Sequence, residues 1–408
     1  MTSTAVRAYT YRWVVLLAFM AVIFVNQVLW ITFASITGPA AAFYGVSDLA
    51  IAALALSFMV VYIVVSIPAS WVIDTYGLRV GVGIGAVLTG AFGLLRGFAG
   101  DNYTTVLIAQ IGVAVAQPFL LNAITTVAAR WFPIEERATA SGLGTLSMYA
   151  GQVTALALTP FLVRASSIPT MLMIYGVAAV IGSLIFLLFA RERPLTPASA
   201  AGADDRALVF DGIKLALRRR DFQLTLLIFF IGLGVFNGVI TWIEDIVRPR
   251  GFTPIESGLV GALMVGAGVF GALVLPTLSD RNRRRVPYIV LALAASTLGL
   301  AGITFAQQYG ALLAGAALMG FFLLAAGPIG FQYGAEVTYP APEGTTNGLL
   351  LMIGQVSGIL FILAMDAFKV PATGSMTPSL LVLIGLMAMG ALLSTRLRES
   401  RMIREVKD

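Results

Sequence analysis

The 408-residue sequence contains no cysteine and no histidine. The first absence excludes disulfides and thiolate metal sites. The second removes the commonest proton shuttle and the commonest metal ligand. Charge is scarce as well: 11% of the residues are Asp, Glu, Lys or Arg, against roughly 25% in an ordinary soluble domain. Apolar side chains take the place of the missing charge. Hydrophobic residues make up 59% of the chain, and the mean hydropathy is +0.92. The lipid bilayer is therefore the first expected partner, and the chain reads as a polytopic, all-α membrane protein. Net charge is +6, and its placement matters more than its sum. No nucleic-acid partner, cofactor or metal is expected.

A span needs about 20 apolar residues. Twelve runs qualify, with approximate limits 13–37, 49–72, 81–98, 104–128, 138–163 and 169–190, then 222–246, 256–278, 287–306, 310–334, 345–368 and 378–396. No small-residue cleavage site follows the first run, so it reads as a span and not a signal peptide. The longest polar interval, 191–221, carries Pro194, Pro197 and Arg218-Arg219-Arg220. It reads as a cytoplasmic linker with a short surface helix over 207–217. The expected organisation is an N-terminal six-helix bundle (1–190), this linker, and a C-terminal six-helix bundle with a short tail (222–408). Of the 26 Lys and Arg, only Arg96, Arg164, Arg248, Arg250 and Lys369 fall outside the termini, the linker and the even-numbered loops. Positive-inside bias then places both termini and the linker in the cytoplasm. Short loops and tails predict a plasma membrane, that of a prokaryote.

The two halves repeat. Asp74, Gly77 and Arg79 form a tight charged turn between two apolar runs, and 206 positions later Asp280 and Arg285 form another. Pro133 and Glu136 recur as Pro340 and Glu343, each offset by 207. Asn26 and Trp30 of the first span recur as Asn237 and Trp242 of the seventh, offset by 211 and 212. Internal repetition of this kind marks many transporters. Six spans plus six, with charged turns after spans 2 and 8, resembles the major facilitator superfamily along the whole chain. That resemblance implies two pseudo-symmetric six-helix bundles around a central midplane site that opens to each side in turn, and a monomer.

A narrower resemblance rests on four stretches. Gly330-Phe331-Gln332-Tyr333-Gly334-Ala335-Glu336-Val337-Thr338-Tyr339-Pro340 runs on through Glu343-Gly344-Thr345 to Gly348-Leu349-Leu350 and Gln355. Trp71 to Asp74 is followed by Gly77-Leu78-Arg79. Asn26 with Trp30, and Gln117-Pro118-Phe119, complete the set. Together they resemble the feline leukaemia virus subgroup C receptor-related transporters, solute-carrier family 49. Members of that family carry choline and ethanolamine, with haem and pyridoxine for relatives. The resemblance implies that Trp30, Gln117 and Gln355 line the substrate cavity. The family's aromatic residue in span 7 falls at Asn237 here, and Trp242 lies more than a turn further along.

The residues themselves point to several roles. An indole face attracts a quaternary ammonium by about 0.5–2 kcal/mol. Trp30 is assigned to the cavity, because Asn26 sits one turn away on the same face. Trp242 is assigned to the interfacial aromatic belt. Gln117 and Gln355 are amides in apolar spans, equally suited to substrate hydroxyls or to interhelical bonding. Pro118 should bend the helix beside Gln117. Gln152 and Asn122 are weaker cavity candidates, and Gln332 weaker again. Glu244 and Asp245 end span 7 and Asp366 nears the end of span 11. All three are expected on a solvated outer mouth, where they would concentrate cations. Arg96, near the end of span 3, is expected to pair with one of them or to snorkel. Asp74, Arg79, Arg130, Glu136, Arg137, Asp280, Arg285 and Glu336 sit at the cytoplasmic ends and are assigned to conformational gating.

No carboxylate or Lys lies near the middle of spans 1, 4, 5 or 7, and span 5 lacks a Gly-Pro pair. Proton coupling usually needs an intramembrane ionisable group. The preferred reading is thus uniport of a small organic cation or amino alcohol, choline- or ethanolamine-like. A proton-coupled carrier of an organic anion or another metabolite is the alternative within transporters, and a non-transporting receptor the alternative outside them. An enzyme is not expected: no nucleophile–base or carboxylate pair stands at midplane.

Overall fold

The computed structural model describes residues 9–133, 136–194, 209–341 and 343–400, with the backbone alone for 209–212. The expected linker falls in part on 195–208, outside the described residues. The chain divides into two compact units, Met1–Asp204 and Asp205–Asp408. The first holds α1 (Arg12–Ile31), α2 (Thr37–Tyr44), α3 (Asp48–Tyr76), α4 (Leu78–Gly97), α5 (Tyr103–Leu121), α6 (Ile124–Trp131), α7 (Arg137–Ala165) and α8 (Ile168–Phe189). The second holds α9 (Val209–Arg218), α10 (Arg220–Thr241), α11 (Ile243–Val247), α12 (Pro254–Arg281), α13 (Val286–Phe305), α14 (Tyr309–Thr338), α15 (Glu343–Ala367) and α16 (Thr377–Ser394). Among the described residues, twelve stretches are long and apolar enough to cross a membrane, α5 and α6 counting as one.

Side-chain caps set several helix starts. Ser47, Asn102 and Ser167 each accept a backbone N–H from the first turn of α3, α5 and α8. Thr253 and Glu256 form a reciprocal capping box on α12. Close packing rests on small residues. On α12, a methyl group at Gly268 or Gly271 would overlap the α14 backbone, and one at Gly320 of α14 would overlap Met264. In lipid, where burial of apolar surface gives helices little reason to associate, such close backbone approach is a main source of attraction.

Three spans read as continuous in the sequence are broken. Span 1 stops at Ile31 and resumes as α2 at Thr37. Pro39, near the start of α2, has no N–H to offer the carbonyl four residues back, so an uninterrupted helix would lose a bond and clash there. Span 7 stops at Thr241, and Trp242, with φ −98° and ψ 18°, separates it from α11. In span 4 the break falls at Asn122–Ala123, a turn after Pro118, which itself lies inside α5.

Candidate functional site

In the first unit, Trp30 stands in the last turn of α1, buried, its indole N–H donating to the Ala55 carbonyl of α3 at 3.4 Å. The helix end that carries it is held from behind. Arg96 of α4 donates to the Leu29 carbonyl at 2.7 Å and to Gln110 Oε1 at 2.6 Å. The Gln110 amide donates in turn to the carbonyls of Leu29 and Trp30 at 3.2 and 3.4 Å. These are C-terminal carbonyls of α1, the negative end of its dipole. The Arg96 guanidinium also lies 5.4 Å from the Phe33 ring centroid. Arg96 is thus neither an outer-mouth charge nor a snorkelling one. It is fully buried, and its hydrogen bonds go to a carbonyl and an amide, with no carboxylate partner among the described residues. The α1 break makes this possible by leaving carbonyls unclaimed.

Asn26 does not open towards a cavity beside Trp30. It is fully buried and donates to Thr89 Oγ1 of α4 at 3.2 Å and to the Val113 carbonyl of α5 at 3.4 Å, tying three helices. Asn122 bonds to Ser66, Ser70 and the Tyr62 hydroxyl, joining the α5 break to α3. Gln152 donates to Gln27 and joins α7 to α1. Gln332 donates to Glu336. Gln117 differs from all of these. It is buried in α5, yet its amide makes no hydrogen bond among the described residues.

In the second unit, Asn237 of α10 reaches the Gly354 carbonyl of α15 at 3.5 Å. The next residue, Gln355, is half-buried and, like Gln117, its amide makes no hydrogen bond among the described residues. Trp242 is not a belt residue. It is wholly enclosed, donates to the Ile362 carbonyl at 3.1 Å, and has the Lys369 ammonium 5.7 Å from its ring centroid. Glu244 and Asp245 are not solvated either, at 1% and 0% exposure. The break at Trp242 redirects the chain, so the short α11 turns both carboxylates inward. Arg248 bonds Glu244 at 3.1 Å and Asp245 at 2.7 Å, and Lys369 bonds Asp245 at 2.9 Å. Asp366 is half-buried near the end of α15. Arg250 closes the C-terminus of α13, donating to the carbonyls of Ile303 and Ala306 at 2.7 and 2.8 Å.

The charged turns are built alike in the two units. Gly77, with φ +98°, turns the chain from α3 into α4. The Glu192 carboxylate then accepts the backbone N–H groups of Leu78 and Arg79 at 2.9 and 2.7 Å and pairs with Arg130. In the second unit, Glu399 accepts the N–H groups of Arg285 and Val286 at 3.1 and 3.0 Å. Arg285 pairs with Asp280 and, at 3.1 Å, with Glu336. Burial alone would lower the Arg285 pKa, but Asp280 and Glu336 outweigh it and hold the value above the ordinary one. Asp74 and the Arg79 side chain are exposed. Glu136 was grouped with Arg130 and Arg137, but the structure pairs it with Arg12 at 3.0 Å. Arg130 goes to Glu192, and Arg137 donates to the Phe132 carbonyl at 3.3 Å.

Sequence reasoning missed Glu192, Glu399, Arg12 and Gln110. The two glutamates carried a usable signal, since they stand 207 positions apart, the same offset as Pro133 and Pro340. Arg12 and Gln110 carried none, one reading as a positive-inside residue and the other as one amide among several.

The sequence pattern of the Major Facilitator Superfamily matches residues 15–362. Solute carrier family 49 member A3 of Danio rerio is 30% identical over 378 residues, 89% of this chain and 80% of that protein. The choline/ethanolamine transporter FLVCR1 of Felis catus is 30% identical over 375 residues, 86% of this chain and 67% of that protein. Among solved structures, a bacterial homologue of the human lysosomal transporter Spinster, inward-facing and unoccupied, superposes with a TM-score of 0.75 over 96% of this chain and 98% of its own, at 16% identity.

Proposed function

Given that this chain belongs to the major facilitator superfamily, on its solute-carrier-49 branch, and is a membrane transporter and not an enzyme, we propose that it carries a small organic cation of the amino-alcohol class, choline- or ethanolamine-like, by uniport. The observation that carries the reading is the pair of uncommitted amides, Gln117 and Gln355, one in each unit. Neither amide spends its hydrogen-bonding groups on a described neighbour, so both are available to a substrate hydroxyl or ammonium. Each unit then supplies ligand groups of its own: Trp30 and Gln117 in the first, Asn237 and Gln355 in the second.

Charge selects the class. Arg96, the one cation that an organic anion could have used, is engaged with the end of α1. The buried carboxylates Glu244 and Asp245 are matched by Arg248 and Lys369. With Glu244, Asp245 and Glu336 each paired to a cation, the membrane potential drives a cation inwards without a coupling ion. The charged turns around Asp74, Arg130, Glu136, Arg137, Asp280, Arg285 and Glu336 act in gating, with Arg79 at the exposed rim of the first. The protein works as a monomer in the plasma membrane, both termini in the cytoplasm.

The test is uptake of labelled choline into proteoliposomes. Saturable uptake is expected, stimulated by an inside-negative potential and indifferent to a pH gradient, and cut at least tenfold by Trp30→Ala at unchanged folding. Stabilisation and uptake of organic acids alone, untouched by Trp30→Ala, would sink the cation reading.

A further inference from the structure

An ammonium group already rests on an aromatic face in this molecule, and it belongs to the protein. The Lys369 Nζ lies 5.7 Å from the centroid of the Trp242 ring and 2.9 Å from Asp245 Oδ1. An indole face plus a carboxylate is a common way to hold an organic ammonium ion. The indole N–H is committed to the Ile362 carbonyl at 3.1 Å, which fixes the ring and its face. The carboxylate is fixed too, by Arg248 at 2.7 Å. The cation has the longest tether of the three groups: Lys369 lies beyond the end of α15, its side chain is 15% exposed, and four methylenes connect it to the backbone. It stems a compact turn in which Val370 N–H bonds the Ser375 carbonyl at 2.9 Å and Gly374 N–H bonds the Val370 carbonyl at 2.8 Å.

We propose that Trp242 and Asp245 form an organic-ammonium subsite at the end of the second unit opposite the Asp280 turn, and that Lys369 occupies it as a tethered ligand. A substrate cation enters by displacing the lysine ammonium, and the lysine returns when the substrate moves on. Charge balance favours the exchange. Glu244 and Asp245 face Arg248 and Lys369, so an incoming cation replaces one positive charge by another and leaves no buried carboxylate uncompensated. Self-occupancy also sets affinity. A site that must first release its own occupant has its intrinsic dissociation constant divided by the fraction of time it stands empty, which lets a transporter release its cargo.

This inference rests on the organic-cation reading for its biological meaning, but its test does not depend on Trp30. The probe is tetramethylammonium, titrated by calorimetry into purified protein. Lys369→Met keeps the aliphatic stem and removes the charge. It is expected to tighten binding about tenfold or more, the gain disappearing in Lys369→Met with Trp242→Leu and surviving in Lys369→Met with Trp30→Ala. Equal binding by Lys369→Met and the unaltered protein overturns the subsite, as does a gain that survives Trp242→Leu. A second measurement needs no variant. The chain has three lysines, Lys214, Lys369 and Lys407, so reductive methylation of each can be followed by mass spectrometry. Saturating tetramethylammonium should speed modification of Lys369 several-fold and leave Lys214 unchanged. An unchanged rate at Lys369 overturns the displacement. Should choline uptake fail outright while Lys369→Met still binds tetramethylammonium through Trp242, the transport reading falls and the subsite stands.

Discussion

Glu192 and Glu399 each hold two backbone N–H groups at the start of a spanning helix, where the peptide dipole is positive. Removing such a carboxylate takes away two charge-assisted bonds together. Glu399→Ala should lower stability by about 1–2 kcal/mol, part of the nominal value being lost to solvent, with Glu192→Ala costing more because Arg130 then loses its partner too. Thermal unfolding in detergent reads both, and equal Tm values for variants and parent would refute the role. Apart from their shared 207-residue offset, neither glutamate stands out in the sequence. Glu192 lies in a polar stretch that composition marks only as linker, and Glu399 lies in a basic tail. Glu244 and Asp245 misled in the opposite direction. Charges at the end of an apolar run read as solvated because hydropathy reports how apolar a segment is and not where a broken helix points its next turn. The support of Trp30 was not legible, because Arg96 and Gln110 become partners only through the carbonyls that the α1 break leaves available.

At the scale of the helix, the sequence was informative about number and poor about continuity. Twelve spans follow from apolar length alone, which is why they were found. Breaks in spans 1 and 7 cost no apolar residue and so leave hydropathy unchanged; Pro39 was the one visible sign. Packing between helices is equally hidden in composition, since 42 glycines do not announce which of them matter. Two on one helix separate the cases. A methyl group at Gly271 of α12 would overlap the Phe321 backbone, whereas at Gly266 it meets open space. Gly271→Ala should therefore destabilise by about 1–3 kcal/mol through a forced shift of α14. Gly266→Ala should be neutral or stabilise by up to about 1 kcal/mol, the helix-propensity gain. Tm differences of the same sign and size for the two would contradict the account of α12–α14 packing.

For the molecule as a whole, the internal repeat was the most informative feature of the sequence, and the structure extends it to the carboxylate clamps. Glu192 reaches back to α4 of its own unit and Glu399 to α13 of its own. Each half ends by fastening onto its own middle. The covalent join between residues 194 and 209 is then dispensable for closing either half. Two separate genes, one ending after Glu192 and the other beginning before Val209, should each yield a polypeptide that folds by itself, read by the thermal unfolding of each tagged half. A gene divided inside α4 parts Leu78 and Arg79 from Glu192 and should leave the first half unfolded while the second still folds. The chain behaves in this respect like two proteins on one strand, each carrying the fastening that closes it.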